Sequence, residues 1–415
     1  MYRNMNDKDA DIKADTVEGF DRGEDIAVME PLQIGDGSPH QGALIELAVD
    51  LAAKSAGFQR SLPDGVVSAL ADLVRAMNCY YSNLIEGHDT HPVDIERAMQ
   101  NDYSDNPRKR GLQLEARAHV TVQKWIDEDG LAGRATTLDG ICEIHRRFGE
   151  LLPEDLLWFE DQQRGERIPM EPGTLRARDV IVGDHVAISP GELPRFLKRF
   201  EQVYSNLGKA QTIFSAAAAH HRLLWIHPFL DGNGRVARLM SYAMLRDALD
   251  TGGIWSIARG LARQEAQYKR HLIACDQPRR GDLDGRGSRS EAALAEFTEF
   301  FLQTCIDQVT FMEQLVQPNK LRERIRIWVE EEVRMEGLPP QSGNVLEALL
   351  YRGELPRGDV ANIVGTGDRQ GRRIVSALTK EGVLQSESTR APLRIAFPAR
   401  LAGRWMPGLF PEAID

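Results

Sequence analysis

His227-Pro228-Phe229-Leu230-Asp231-Gly232-Asn233-Gly234-Arg235-Val236-Ala237-Arg238 places a histidine, a carboxylate, a glycine-rich turn and two arginines within twelve residues. Few chemistries need all four at once; a triphosphate site does. Pro228 stops the preceding helix, so His227 is expected at its exit. Asp231 to Gly234 reads as a tight turn, because Gly and Asn tolerate positive φ. The turn opens into a helix, whose first N–H groups form a nest that favours phosphate. Arg235 and Arg238 are three apart and are expected to reach the same anion. Asp231 is placed to hold Mg2+ against phosphate oxygens. His227 can take a proton from a hydroxyl near neutral pH. Taken singly, each piece has a plainer reading: a capping histidine, an ordinary turn, a solvated basic face. The combination favours the nucleotide.

The rest of the composition sets bounds. With 415 residues there is material for two or three domains. A net charge of −11 argues against a generic nucleic-acid coat, while leaving room for a local basic face. No apolar run approaches the ~20 residues of a membrane span, and no membrane partner is expected. Met1 to Lys8 lacks an apolar core, so no secretory signal is expected. Cys79, Cys142, Cys275 and Cys305 form no CxxC pair and are expected as reduced thiols in helical cores. A cytoplasmic location follows as the expectation.

Along the chain, residues 1–38 are acidic and aperiodic, and are expected to be a disordered or loosely docked arm. Residues 39–130 read as an N-terminal helical region, with helices at Ala43 to Ala56, Gly65 to Cys79 and Arg108 to Asp127. Residues 131–318 hold the central motif, with helices at Leu138 to Leu152, Leu193 to Tyr204, Thr212 to Ile226, Asn233 to Ala248 and Ala292 to Val316. Val180-Ile181-Val182 and Val186-Ala187-Ile188 flank Gly183-Asp184, a short β-hairpin in a helical protein. Residues 319–404 begin with a helix from Lys320 to Met335 that ends before Pro339-Pro340. Residues 405–415 read as a tail.

The central stretch resembles the signature of the Fic (filamentation induced by cAMP) family, HPF-x-[DE]-GNGR-x-x-R, at every fixed position. Ala217 to Ile226 is similar to the family's lead-in helix, and Leu175-Arg176 through Val180 to Gly183 to its flap. Ile257 to Leu261 with Tyr268 resembles the segment beside the nucleoside. The resemblance implies a mainly α Fic/Fido core with a β-hairpin flap, and transfer of AMP from Mg-ATP to a Ser, Thr or Tyr hydroxyl of a protein, the chain itself included. It implies His227 as general base and Asp231 as the Mg2+ ligand. Phe229, Gly232, Asn233, Gly234, Arg235 and Arg238 form the phosphate site, and Tyr268 lies by the nucleoside. Val180, Ile181, Val182 and Gly183 would dock the target as an added strand. Relatives often form homodimers.

Ser82 and Glu86 share a helix face, and Gly87 fits a helix stop. Alone this is a helix end with a solvated glutamate. Beside the Fic signature it resembles the family's inhibitory helix, [ST]-x-x-x-E-[GN], in which Glu86 would pair with Arg238 and misplace ATP. The same glutamate implies an alternative, removal of AMP from a modified protein through a positioned water.

Residues from about 343 to 398 read as three helices and two strands: Asn344 to Tyr351, Pro356 to Ile363, Asp368 to Glu381 capped by Asp368 or Thr366, then Val383 to Ser386 and Leu393 to Phe397. This resembles a winged helix-turn-helix. Residues 343 to 404 have ten Lys/Arg against six Asp/Glu, a local excess of +4. Arg369, Arg372 and Arg373 on the third helix are the candidate DNA contacts. Packing on the core or pairing of subunits is the equal alternative. A second overall reading is a transcription regulator whose core senses nucleotide.

Overall fold

The computed structural model describes residues 21–161 and 165–411. Of the expected acidic arm, residues 1–20 lie outside this part. Residues 21–38 are docked on the core, the second of the two expected states. Ile26–Met29 is a 3-10 turn, and Met29, Leu32 and Ile34 are buried. Glu30 pairs with Arg199 at 2.9 Å, and the Arg222 guanidinium donates to the Pro31 carbonyl at 2.8 and 3.1 Å. Glu30, one of the charges that suggested disorder, is the partner of a basic group far along the chain, which no local pattern displays.

Five helices follow: α1 (Gln41–Arg60), α2 (Asp64–Ile85), α3 (Pro92–Met99), α4 (Pro107–Asp127) and α5 (Leu138–Glu150). Helices α3 and α4 begin with proline, where the missing N–H costs nothing. Asn106 caps α4 through Lys109 N at 3.1 Å, and Thr137 caps α5 through Gly140 N at 3.0 Å. Two hairpins come next. The first, β1 (Trp158–Asp161) with β2 (Glu166–Pro169), was not expected from the Arg- and Gly-rich sequence. The second, β3 (Ile181–Val182) with β4 (His185–Val186), turns at Gly183-Asp184 as expected.

The core is built from α6 (Leu193–Tyr204), α7 (Lys209–Ile226), α8 (Asn233–Leu249), α9 (Ala258–Arg263), α10 (Glu265–Cys275) and α11 (Glu291–Leu315), with α12 (Pro318–Arg334) leading away. Helices α7 and α8 make the most extensive pair. Ala216 to Ala219 are buried and allow the close approach. Helix α8 is buried on nearly every side, so its N-terminus is fixed from all directions. The four cysteines are free thiols; three are buried and Cys142 is half-buried. No helix among the described residues is long and apolar enough to cross a membrane.

The C-terminal unit comprises α13 (Ser342–Arg352), β5 (Glu354–Leu355), α14 (Val360–Val364), α15 (Asp368–Lys380), β6 (Leu384–Gln385), β7 (Leu393–Ile395) and α16 (Ala402–Trp405). Its antiparallel sheet has the order β5-β7-β6, so a third strand joins the two expected. Helix α15 starts after Gly367 with no side-chain cap, contrary to the expected Asp368 or Thr366, and the buried Thr366 hydroxyl has no partner among the described residues. The unit lies along α2. A Cβ on Gly65 would fall 2.0 Å from the Gly353 carbonyl oxygen. At the other end of α2, the Tyr81 hydroxyl donates to the Leu409 carbonyl at 3.0 Å, and Tyr80 meets Phe410 edge-on at 5.8 Å. Of the segment read as a tail, residues 405–411 form a strap beside the end of α2, and residues 412–415 lie outside the described residues.

Candidate active site

Helix α7 ends at Ile226, and His227 turns the chain with φ +52°. Its N–H closes the helix on the Leu223 carbonyl at 3.0 Å. Gly232, at φ +80°, is the N-cap of α8. Between them the Asn233 side chain locks the loop: Oδ1 accepts from Phe229 N at 2.9 Å and Nδ2 donates to Phe229 O at 2.7 Å. Both polar atoms of the Asn233 side chain are engaged inside the loop, which leaves its backbone N–H and the second Nδ2 hydrogen for an anion. The Phe229 side chain faces the interior. It is fully buried and stacks on His145, with centroids 3.9 Å apart. His145 Nδ1 accepts from Gly173 N at 2.8 Å, so Nε2 carries the proton and donates to the Asp231 carbonyl at 3.3 Å. The signature's histidine has a second histidine behind its loop, which sequence reading missed. The first N–H groups of α8 remain without helical partners and converge beside Gly232 and Gly234.

His227 is buried, and burial with the nearby Arg176 and His185 holds its imidazole well below the usual histidine range. It is therefore neutral at pH 7. Nδ1 lies 3.3 Å from the Leu224 carbonyl and carries the hydrogen, which leaves Nε2 as the basic atom beside the cavity. The cavity wall also contains Glu86, Gly234, Arg238 and Tyr268. Tyr268 is anchored by a directed chain. Its hydroxyl bonds His220 Nε2 at 2.7 Å, His220 Nδ1 bonds Ser241 Oγ at 2.8 Å, and Ser241 donates to the Ala237 carbonyl at 2.8 Å. Burial pushes His220 down to about 3, so it serves as a neutral relay in this chain.

Glu86 and Ser82 both engage Arg238. Arg238 Nε donates to Ser82 Oγ at 2.8 Å, and Nη2 donates to Ser82 O at 3.2 Å and to Glu86 Oε1. Burial raises the Glu86 carboxyl, but Arg238 and Arg235 outweigh it and the net shift is downward. The pair is ionised. Gly87 takes φ +79° and ends α2, with His88 N bonded to Asn83 O at 2.9 Å. Among the described residues Glu86 Oε2 has no hydrogen-bond partner.

The two arginines of the signature part company. Three residues rotate a helix by about 300°, so their side chains diverge by roughly 60°. Arg238 lines the His227 cavity, whereas Arg235 lines a neighbouring one with Asp231, Gly232 and His145. Arg235 lies 3.4 Å from Asp231, 3.5 Å from Glu115 and over the Phe148 ring. The two guanidinium groups, expected to reach one anion, line separate cavities in this conformation.

The hairpin borders the His227 cavity through Val182 and His185. Val180 is buried and accepts from Ala187 N at 3.1 Å, and Ile181 pairs with Val186. His185 Nε2 lies 2.7 Å from the Trp225 carbonyl, which fastens the hairpin to α7. Gly183, at φ +59°, makes the turn. Far along the chain, Arg369, Arg372 and Arg373 are exposed on α15 and take part in none of the ion pairs found among the described residues, whereas Arg394 pairs with Glu354 and Glu387.

Residues 135–245 match the model of the Fic/DOC family. Protein adenylyltransferase Fic of Nematostella vectensis is 33% identical over 175 residues, covering 41% of this chain and 37% of that protein. Its namesake in Drosophila yakuba is 39% identical over 130 residues, covering 31% of this chain and 23% of that one. The chain therefore spans well under half the length of these curated relatives. A crystal structure of a Fic family protein from Desulfovibrio desulfuricans G20 covers 88% of this chain and 98% of its own, with a TM-score of 0.50 and 17% identity. The helical core around the loop has the Fic fold. Ser82 to Gly87 and the C-terminal unit lie outside the segment that the family model matches.

Proposed function

We propose that this protein is a protein adenylyltransferase held in a resting state by Glu86. The observation that carries the reading is the buried Glu86–Arg238 pair, seated over Gly234 beside the neutral His227. A carboxylate at a helix N-terminus occupies the place where a phosphate would bind. With Glu86 withdrawn, the N–H groups of Gly232, Asn233 and Gly234 and the Arg238 guanidinium would hold the tail of ATP. His227 Nε2 would take the proton of a Ser, Thr or Tyr hydroxyl. That oxygen forms a bond to the α-phosphorus, the bond to the bridging oxygen breaks, and pyrophosphate leaves.

Asp231 is half-exposed and is the one carboxylate of the loop. That donor set suits Mg2+, which takes one or two carboxylates and fills its shell with water and phosphate. Bound there, the ion would neutralise phosphate charge. The β3–β4 edge would register the target strand, and the chain's own hydroxyls are candidate acceptors; a homodimer would present them in trans.

The test is intact mass after incubation with ATP and magnesium. Glu86→Gly is expected to gain an adenylyl group faster than the parent, and His227→Ala to gain none. Equal masses in all three proteins would sink the reading.

The unpartnered Glu86 Oε2 favours a second activity, positioning a water to remove AMP from a modified protein. Incubating an adenylylated protein with and without ATP separates the two. The unpaired arginines of α15 support reading the C-terminal unit as a winged helix that meets DNA. Reversing Arg369, Arg372 and Arg373 to Glu would abolish a salt-dependent shift, if DNA is the partner.

A further inference from the structure

We infer that Arg176 is the positioning residue of the His227 base, holding the histidine's backbone and the docking hairpin in one unit. This rests on the adenylyl-transfer reading and adds a residue to it. Arg176 is buried, and among the described residues every hydrogen bond of its guanidinium goes to a backbone carbonyl. Nε donates to His227 O at 2.7 Å and Nη1 to Arg178 O at 2.6 Å. Nη2 donates to Ile188 O and, at 3.5 Å, to Ile226 O. Its own N–H donates to Pro228 O at 2.9 Å.

These partners belong to three pieces of chain. Ile226 and His227 end α7. Arg178 precedes β3 and Ile188 follows β4. The left-handed conformation of His227 costs a non-glycine residue about 1–2 kcal/mol and persists only where its surroundings impose it. Orphan carbonyls at a helix C-terminus also need donors and favour a cation. One planar fork meets all of these needs at once. A lysine places its three donors on a single atom and cannot span the same carbonyls. The guanidinium also opposes protonation of the neighbouring imidazole. Arg176 touches no reacting atom in this arrangement; it acts through His227.

The test uses the full chain in the Glu86→Gly background, with Arg176→Met and Arg176→Lys. Arg176→Met is expected to lower kcat about 100-fold, the effect of misplacing a base by an ångström. KM for ATP should stay within roughly threefold, since Arg176 does not line the phosphate site. Arg176→Lys should keep the acid limb of the pH profile near its parent position and still lose most of kcat. An unchanged kcat, a KM that rises in step with the loss, or a lysine variant as fast as the parent would each overturn the assignment. Should Arg176→Met fail to fold, the lysine variant carries the kinetic test.

If the Glu86→Gly parent transfers no AMP, the functional reading fails by itself. The His227 ring titration, followed by NMR in the otherwise native chain, then decides the Arg176 assignment alone. Loss of the cation should raise the titration midpoint by roughly half a pH unit or more in Arg176→Met. A midpoint that stays in place refutes it.

Discussion

Glu86 lies directly on Gly234. A Cβ built at residue 234 would sit 2.3 Å from Glu86 Oε1 and 3.0 Å from Arg238 Nη1. The glycine of the turn is therefore required by the carboxylate above it, apart from any demand of backbone angle. Gly234→Ala is expected to push Glu86 off Arg238 and to narrow the anion site at the same time. Both stability and ATP affinity should fall. Thermal melts with and without ATP check this; a variant with the parent's melting temperature and affinity would show that Glu86 is not confined there.

Removing one partner of a buried ion pair leaves the other uncompensated, which costs about 3–5 kcal/mol. Glu86→Gly should accordingly melt well below the parent when nucleotide is absent. ATP supplies a new anion for Arg238, so the rise in melting temperature with ATP should exceed that of the parent. Equal ATP-induced shifts would place Arg238 outside the nucleotide site.

Burial lowers His119 to about 3, His145 to about 4 and His220 to about 3. Each is neutral in the fold, and the unfolded chain binds its proton first as pH drops below 6.5. Their contribution is full above that value and shrinks toward pH 4, at about 1.4 kcal/mol per pH unit for each group. The lowered Glu86 carboxyl adds a loss in the same direction at still lower pH. Urea midpoints should drop steeply between pH 6.5 and pH 5. A flat profile there would mean that these imidazoles reach water.

Tyr81 precedes Ser82 and holds the Leu409 carbonyl. Tyr81→Phe removes a hydrogen bond of about 1 kcal/mol and leaves that carbonyl unpaired. Amide exchange across residues 80–88 should accelerate, while α15 keeps its protection. If the two regions respond alike, the strap is not a local clamp on the end of α2.

The local features were legible because they are local. Pro228 ending α7, Gly232 opening α8 and Gly87 ending α2 each follow from the φ that one residue allows or forbids. The β3–β4 hairpin followed from β-branched residues around Gly183. Strands β1, β2 and β5 did not, since Arg- and Glu-bearing segments of two to four residues carry little hydrophobic signal. His145, His220 and Arg176 were missed as parts of the site, or given no role, for another reason. Each acts on a residue dozens of positions away, at separations of 86, 48 and 51 for Asp231, Tyr268 and His227.

The order of residues from His227 to Arg238 was enough to specify an exit turn, a nest of N–H groups and the types of charge around it, because backbone sterics act over three or four residues. Folding in three dimensions settled which of those charges share a cavity. It sent Arg235 to Glu115, away from the Arg238–Glu86 pair that the resemblance had implied, turned the Asn233 side chain inward, and set the strap of residues 405–411 against α2. Those outcomes depend on which helices surround α8, and dense packing leaves each buried side chain only the partner that its neighbours permit.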